Sequence, residues 1–216
     1  MNCLIPAKGQ SLRVPKKNTK LFLGTPIISR VIKTALKSLS FSNIDIFTND
    51  PIVKGVVYNE KNMSVNVVHE SNFLSEKRTL SDVVLDYLSI KKIEKGKLAI
   101  LLPTSVFSDI ESIRECVLKC DEPCTTLLVN EIDKKALNCY VGNIRFCDRY
   151  KNVISQHIPT PLVDSGQFYI IDVVQFLKEG CILGHKINPI TLKQPSIDID
   201  TQEDWEEAEK LFSRQF

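Results

Sequence analysis

No run of 18 or more apolar residues occurs in this 216-residue chain, so no membrane-crossing helix is expected. The first residues show no basic segment followed by an apolar one, and secretion is not expected either. A charge excess of one sign is also missing. The 28 Lys and Arg against 26 Asp and Glu leave a net charge of +2, which gives no footing for wholesale nucleic-acid binding. No GKS or GKT closes a P-loop, no G-x-G-x-x-G marks a dinucleotide fold, and no G-x-S-x-G elbow presents a nucleophile. The three histidines, His69, His157 and His185, sit in no triad-like context, so covalent catalysis is not expected. The cysteines are seven, an odd set without the rhythm of a disulfide scaffold, which favours reduced thiols and a cytoplasmic setting. Cys116, Cys120 and Cys124 recur every four residues, but zinc sites favour tighter pairs, and these three are expected as small buried hydrophobes.

What is present is an alternation. Asn2–Ile5 reads as a short buried strand, followed by a loop carrying Lys8, Arg13, Lys16 and Lys17. Thr25 as cap and Pro26 at the first position open a helix whose stripe is Ile28, Val31, Ile32, Ala35, Leu36 and Leu39. Strands follow at Ile44–Phe47, Val65–Val68, Leu98–Leu102 and Thr126–Val129, with helical patterns over Leu80–Ile90 and Asp109–Cys120 between them. Asp164–Ile171 reads as a further strand and Asp172–Lys178 as a short helix. This order predicts a single α/β domain over residues 1–216, three layers deep with a mostly parallel sheet. Residues 134–161 break the pattern. Tyr140–Phe146 there reads as a hairpin around Gly142-Asn143, and the segment is expected as an inserted β-arm that makes a dimer contact.

Ligands of parallel sheets lie beyond the carboxyl ends of the strands. Three polar exits fall there: the cationic loop, Asp50, and Pro103-Thr104-Ser105. Four cations with Gly9 and two prolines at a strand exit point to a polyphosphate. Near the other end of the sequence, Ile197-Asp198-Ile199-Asp200-Thr201 alternates as a strand would, turning both carboxylates to one face roughly 6–7 Å apart. Such a pair suits Mg²⁺, which takes one or two carboxylates together with phosphate oxygens and water. Thr201 and Asp204 then form a capping box, and Trp205, Ala208, Leu211 and Phe212 give the next helix its apolar face.

Ile5 to Asn18, with Phe22-Leu23-Gly24-Thr25-Pro26-Ile27 behind it, resembles the opening of sugar nucleotidyltransferases, above all the acylneuraminate cytidylyltransferases, the CMP-sialic acid synthetase group. Leu102-Pro103-Thr104-Ser105 resembles that family's Q-P-T-S segment, and Ile197 to Trp205 its I-D-I-D-T-x-E-D-W signature. Asp164-Ser165-Gly166-Gln167-Phe168-Tyr169 is similar to the D-A-G-Q-F-Y segment of the pseudaminic acid branch. The chain departs from the family at Lys8 (usually arginine), Leu12 (lysine), Leu102 (glutamine) and Ser108 (near a common arginine), and Glu70 to Leu74 lacks the arginine of R-P-x-x-L.

The resemblance implies a Rossmann-like sheet of the nucleotide-diphospho-sugar transferase type. It also implies a reaction of CTP with a nine-carbon α-keto sugar acid, giving a CMP-sugar and pyrophosphate. Lys8, Arg13 and Lys17 would neutralise the triphosphate, and Asp198 and Asp200 would hold Mg²⁺. Ala7, Gly9, Ser11, Asn18, Ser81, Pro103 and Thr104 would complete the nucleotide site, and Gln167, Phe168 and Tyr169 would line the sugar side. A cytoplasmic homodimer is expected, with neither nucleic acid nor membrane as a partner. A related nucleotidyltransferase using another sugar or base stays open, as does a degenerate homologue that binds nucleotide without turnover.

Overall fold

The computed structural model describes residues 1–9, 11, 13–69, 78–138, 140–141, 144–145 and 153–215. Gln10, Leu12, the Glu70 to Leu74 segment, Cys139, Cys147 and the Gly142-Asn143 turn lie outside the described residues.

Along the chain run β1 (Asn2–Pro6), β2 (Leu21–Phe22), β3 (Thr25–Pro26), α1 (Ile27–Ser38), β4 (Asn43–Thr48), α2 (Pro51–Asn59), β5 (Val65–His69), α3 (Leu80–Lys91), β6 (Lys97–Leu101) and α4 (Ile110–Leu118). Then come β7 (Thr125–Glu131), β8 (Tyr140–Val141), β9 (Ile144–Arg145), β10 (Leu162–Asp172), α5 (Val173–Glu179), β11 (Ile187–Thr191) and α6 (Gln202–Gln215). Seven strands form one sheet in the order β11-β7-β10-β6-β1-β4-β5. β10 pairs antiparallel with both neighbours, and the other ladders are parallel. The expected mostly parallel α/β sheet is therefore present, and β8 pairs with β9 as the expected hairpin.

The strands are apolar on both faces because helices cover both. Ile28, Val31, Ile32 and Ala35 of α1 join Val53 and Val57 of α2 and Ile113 and Cys116 of α4 on one face, over Cys3, Ile5, Ile44, Ile46, Ala99 and Leu101. Val84, Tyr87 and Leu88 of α3 and Phe176 of α5 cover the other, over Leu4, Phe47, Leu98, Ile100 and Ile171. Cys116, Cys120 and Cys124 are buried free thiols, and among the described residues no group of three or more His, Cys, Asp or Glu could hold a metal. No helix among the described residues is long and apolar enough to cross a membrane. One buried carboxylate pins sheet to helix: Asp45 accepts from Tyr87 O–H (2.8 Å) and Asn66 Nδ2 (3.1 Å) and pairs with Lys91 Nζ at 3.0 Å. Its partners offset the cost of burying the charge.

Four local expectations change. Thr25-Pro26 is not a helix start but the second arm of a tiny hairpin, because Leu23 and Gly24 turn at φ 45° and 78° and pair Phe22 with Thr25. Positive φ at both central residues is what such a tight turn requires. α2 was not foreseen, although Asp50 caps it by accepting from Ile52 N–H at 2.7 Å and Pro51 opens it. β11 was not foreseen either. It is an edge strand, where Pro189 is tolerated. Residues 195–200 belong to no strand. The carbonyls of Ile197 and Ile199 accept from the side chains of Gln167 and Lys17, yet the alternation survives, with Ile199 buried and Asp198 exposed.

Candidate active site

All parallel strands end at one rim, and the chain crosses that rim three times. β1 continues through Ala7, whose N–H donates to the Phe47 carbonyl (2.9 Å), into the cationic loop. Gly9 then passes so close to the exit of β4 that a Cβ on it would lie 2.6 Å from Asp50 Oδ2. Only glycine lets the backbone approach the α2 cap this closely. Asn18 is buried and donates from Nδ2 to the Lys8 carbonyl (2.7 Å), tying the end of the loop to its start. Val14 packs inward, while Lys8 and Arg13 are exposed and Lys17 is half-buried.

The decisive contacts span the sequence. Lys17 Nζ donates to the Ile199 carbonyl at 2.7 Å and lies 3.3 Å from Asp200 Oδ1. Arg13 Nη2 reaches the same oxygen at 3.0 Å. Cations read from the opening loop thus meet the acidic pair 183 residues away. α6 fixes that pair. Thr201 and Asp204 complete the capping box, with Thr201 N–H donating to Asp204 Oδ2 at 2.7 Å and Asp204 N–H to Thr201 Oγ1 at 3.1 Å. The hydrogen bond from the Thr201 backbone holds the Asp204 carboxyl below its ordinary range. Trp205 is buried edge-on against Phe22 (centroids 5.6 Å apart), under the ammonium of Lys20 at 4.5 Å. The helix that follows the acidic pair therefore packs on the hairpin that ends the basic loop.

β6 closes the third side. Its exit turns through Pro103-Thr104-Ser105, with Ser105 N–H donating to the Leu102 carbonyl at 3.0 Å. Ser105 Oγ bonds the Gln167 carbonyl on the neighbouring β10. Thr104 is buried in this turn.

Several predicted site residues are placed differently. Ser81 accepts from Ile182 N–H (3.2 Å), and the Ile182 carbonyl accepts from Thr125 Oγ1 (2.6 Å) at the start of β7. That is the amino edge of the sheet, so Ser81 is not brought to the rim. Gln167 is wholly buried, with Oε1 accepting from Phe107 N–H and Nε2 donating to the Ile197 carbonyl at 3.3 Å. Phe168 belongs to the core, beside Phe41 at 6.2 Å. Tyr169 is also buried and donates its O–H to Asp164 Oδ2 at 2.8 Å. Burial, then the adjacent Asp164 carboxylate, push that phenol well above its ordinary value, so it stays a donor. None of these three side chains is exposed at the rim. Sequence reasoning did not single out Asp164 or Gly166, although both stand in the D-S-G-Q-F-Y segment.

Asp198 carries the electrostatic signature of the pair. Partial desolvation and the nearby Asp200 charge push its carboxyl up to about 6. Two carboxylates that repel each other beside open solvent form a hard-oxygen donor set, which fits a divalent cation completed by phosphate oxygens. Without a cation the repulsion costs stability. The unfolded aspartate titrates near 3.8 and the folded one near 6, so the folded chain binds more protons between those values. Stability therefore falls as pH rises through that window, and the deficit persists above it. Screening at this solvent-open side chain keeps the deficit to about 0.5 kcal/mol. In EDTA, Asp198→Asn is expected to raise Tm by about 1–2 °C at pH 7.5 and to change it little at pH 4, as read from thermal melts.

The comparisons with known proteins agree in kind. A sequence model described as Cytidylyltransferase matches residues 2–134. A CMP-N,N'-diacetyllegionaminic acid synthase of Legionella pneumophila is 26% identical over 219 residues, covering 96% of this chain and 94% of that protein. A pseudaminic acid cytidylyltransferase of Campylobacter jejuni is 26% identical over 238 residues, covering 97% and 95%. Among solved structures, a CMP:2-keto-3-deoxy-manno-octonic acid synthetase complexed with CTP superposes with a TM-score of 0.73 at 16% identity, covering 99% of this chain and 98% of that one. A 4-diphosphocytidyl-2C-methyl-D-erythritol synthase from Anaerococcus prevotii gives 0.71 at 13%, with coverage of 99% and 98%. At those identities the structural likeness speaks for the fold.

Proposed function

The chain belongs to the cytidylyltransferase family, and on that premise we propose that it joins CMP from CTP to a nonulosonic acid of the legionaminic or pseudaminic kind, releasing pyrophosphate. The observation that carries the reading is the meeting of Arg13 and Lys17 with Asp200 at the rim, which sets triphosphate-binding cations beside cation-binding carboxylates. Both curated relatives match nearly the whole chain, which supports the substrate class.

In this reading the sugar's anomeric hydroxyl attacks the α-phosphorus and gives up its proton to solvent. A new P–O bond forms as the bond to the bridging oxygen breaks, and pyrophosphate leaves with that electron pair. Lys8, Arg13 and Lys17 bind the triphosphate and stabilise the charge that grows on the leaving group. Ala7, Gly9 and Ser11 give the loop its close approach, Asn18 holds the loop's shape, and Pro103-Thr104 bounds the nucleotide on the β6 side. Asp198 and Asp200 would hold Mg²⁺, which when bound supplies Lewis-acid polarisation of phosphate oxygens. Residues 134–161 serve as the dimer arm of a cytoplasmic homodimer. The hairpin β8–β9 and the exposed Val153, Ile154, Leu162 and Val163 support that part.

Pyrophosphate release with CTP and Mg²⁺ across sialic, legionaminic and pseudaminic acids tests the proposal. Release with legionaminic or pseudaminic acid is the expected result. CTP binding without release from any of the three sugars would instead mark a homologue that has lost turnover.

A further inference from the structure

β10 loses register with β7 between Asp164 and Tyr169, and the irregularity puts Gly166 directly against Asp198. Gly166 has φ 65°, and a Cβ built on it would lie 2.5 Å from Asp198 Oδ2 and 2.6 Å from Cγ. Such distances leave no room for any other residue while the carboxylate stays where it is. The turn is itself held. Asp164 accepts from Gly166 N–H through Oδ1 at 2.9 Å and from Tyr169 O–H through Oδ2 at 2.8 Å. Gln167 donates to the carbonyl of Ile197, the residue before Asp198.

We infer that the Asp164–Gln167 turn is a positioning element for the acidic pair, with Gly166 leaving the space that Asp198 occupies and Gln167 fixing the backbone beside it. The inference rests on the reading of Asp198 and Asp200 as ligands of a divalent cation. Neither Gly166 nor Asp164 is a catalytic residue in this account, since both act through Asp198. The geometry also supplies its own control. Gly180 has φ 68°, nearly the same backbone, but a Cβ there meets nothing within 4 Å. Gly166→Ala and Gly180→Ala therefore share the left-handed strain, and only the first displaces a carboxylate.

CTP binding is measured by calorimetry on the full chain with Mg²⁺ and in EDTA, and the readout is the gain in affinity that Mg²⁺ confers. Asp198→Asn is expected to abolish the gain. Gly166→Ala is expected to cut it by about tenfold, while Gly180→Ala keeps it and CTP affinity in EDTA stays as in the parent. If Asp198→Asn keeps the gain, the reading of the metal ligands falls and this inference falls with it. If Asp198→Asn loses the gain while Gly166→Ala retains it as Gly180→Ala does, the positioning role alone is overturned. Should Gly166→Ala not fold, Tyr169→Phe decides by the same measure. That variant removes one bond to Asp164, so a reduced gain supports the role and an unchanged gain overturns it.

Discussion

Asp200→Asn is expected to lower turnover by about 100-fold or more and, in the same protein, to tighten CTP binding in EDTA. The first effect follows from removing half of a two-carboxylate site beside the reacting phosphate. The second follows from the ion pairs. Arg13 and Lys17 both lie on Asp200 Oδ1, at 3.0 and 3.3 Å, so a triphosphate competes with Asp200 for them. Neutralising Asp200 removes both ion pairs, freeing Arg13 and leaving Lys17 held only by the Ile199 carbonyl. Exposed pairs are worth about 0.2–1 kcal/mol each, so removing two should tighten metal-free CTP by about 2- to 30-fold. Calorimetry in EDTA and steady-state assays in Mg²⁺ read the two quantities separately. Unchanged metal-free affinity would show that the pairs seen here do not compete with nucleotide.

Trp205→Ala should produce the largest loss of stability among single substitutions at the site. The side chain is almost wholly buried among Val14, Phe22, Ile27, Phe107 and Ile199. Truncating a buried aromatic to alanine costs about 3–5 kcal/mol, which for a chain of this size lowers Tm by roughly 6–20 °C. The loss should not be confined to stability. Trp205 joins α6 to the β2–β3 hairpin, so the variant should also bind CTP more weakly at a temperature where circular dichroism shows it folded. Normal CTP affinity in the cold would separate the packing of α6 from the geometry of the acidic pair.

The parts of this molecule that were legible in the sequence are those governed by local rules. Continuous apolar runs at Leu4-Ile5 and Leu98–Leu101 marked central strands, because both faces of such strands are covered. The Thr201–Asp204 box was visible because capping is a matter of residue type and spacing. α2 was missed because it buries only Val53 and Val57 and carries Gly55 in its middle, leaving a faint stripe. The direction of β10 depends on which strands it pairs with, and pairing is not local. The same non-locality hid the true places of Ser81, Gln167 and Phe168. Residue type made them plausible ligands, but which face of the sheet and which edge they occupy was settled by distant partners such as Ile182, Ile197 and Phe41. Asp198 and Asp200 stand out in the sequence by alternation, whereas their neighbour Gly166 is recognised only by its distance to one of them.

The separation of Lys17 from Asp200 also sets an order of events. Bringing together groups 183 residues apart carries a chain-closure cost of about 4–5 kcal/mol. That cost is met only once the sheet and its two helical layers hold the intervening chain, so the rim assembles late in folding. Unfolding reverses the sequence. Arg13, Lys17 and the acidic pair meet at a partly exposed surface, tied across the sequence by α6, and can come apart while the seven-stranded core stands. On warming, competence to bind nucleotide should therefore disappear several degrees before the secondary structure does.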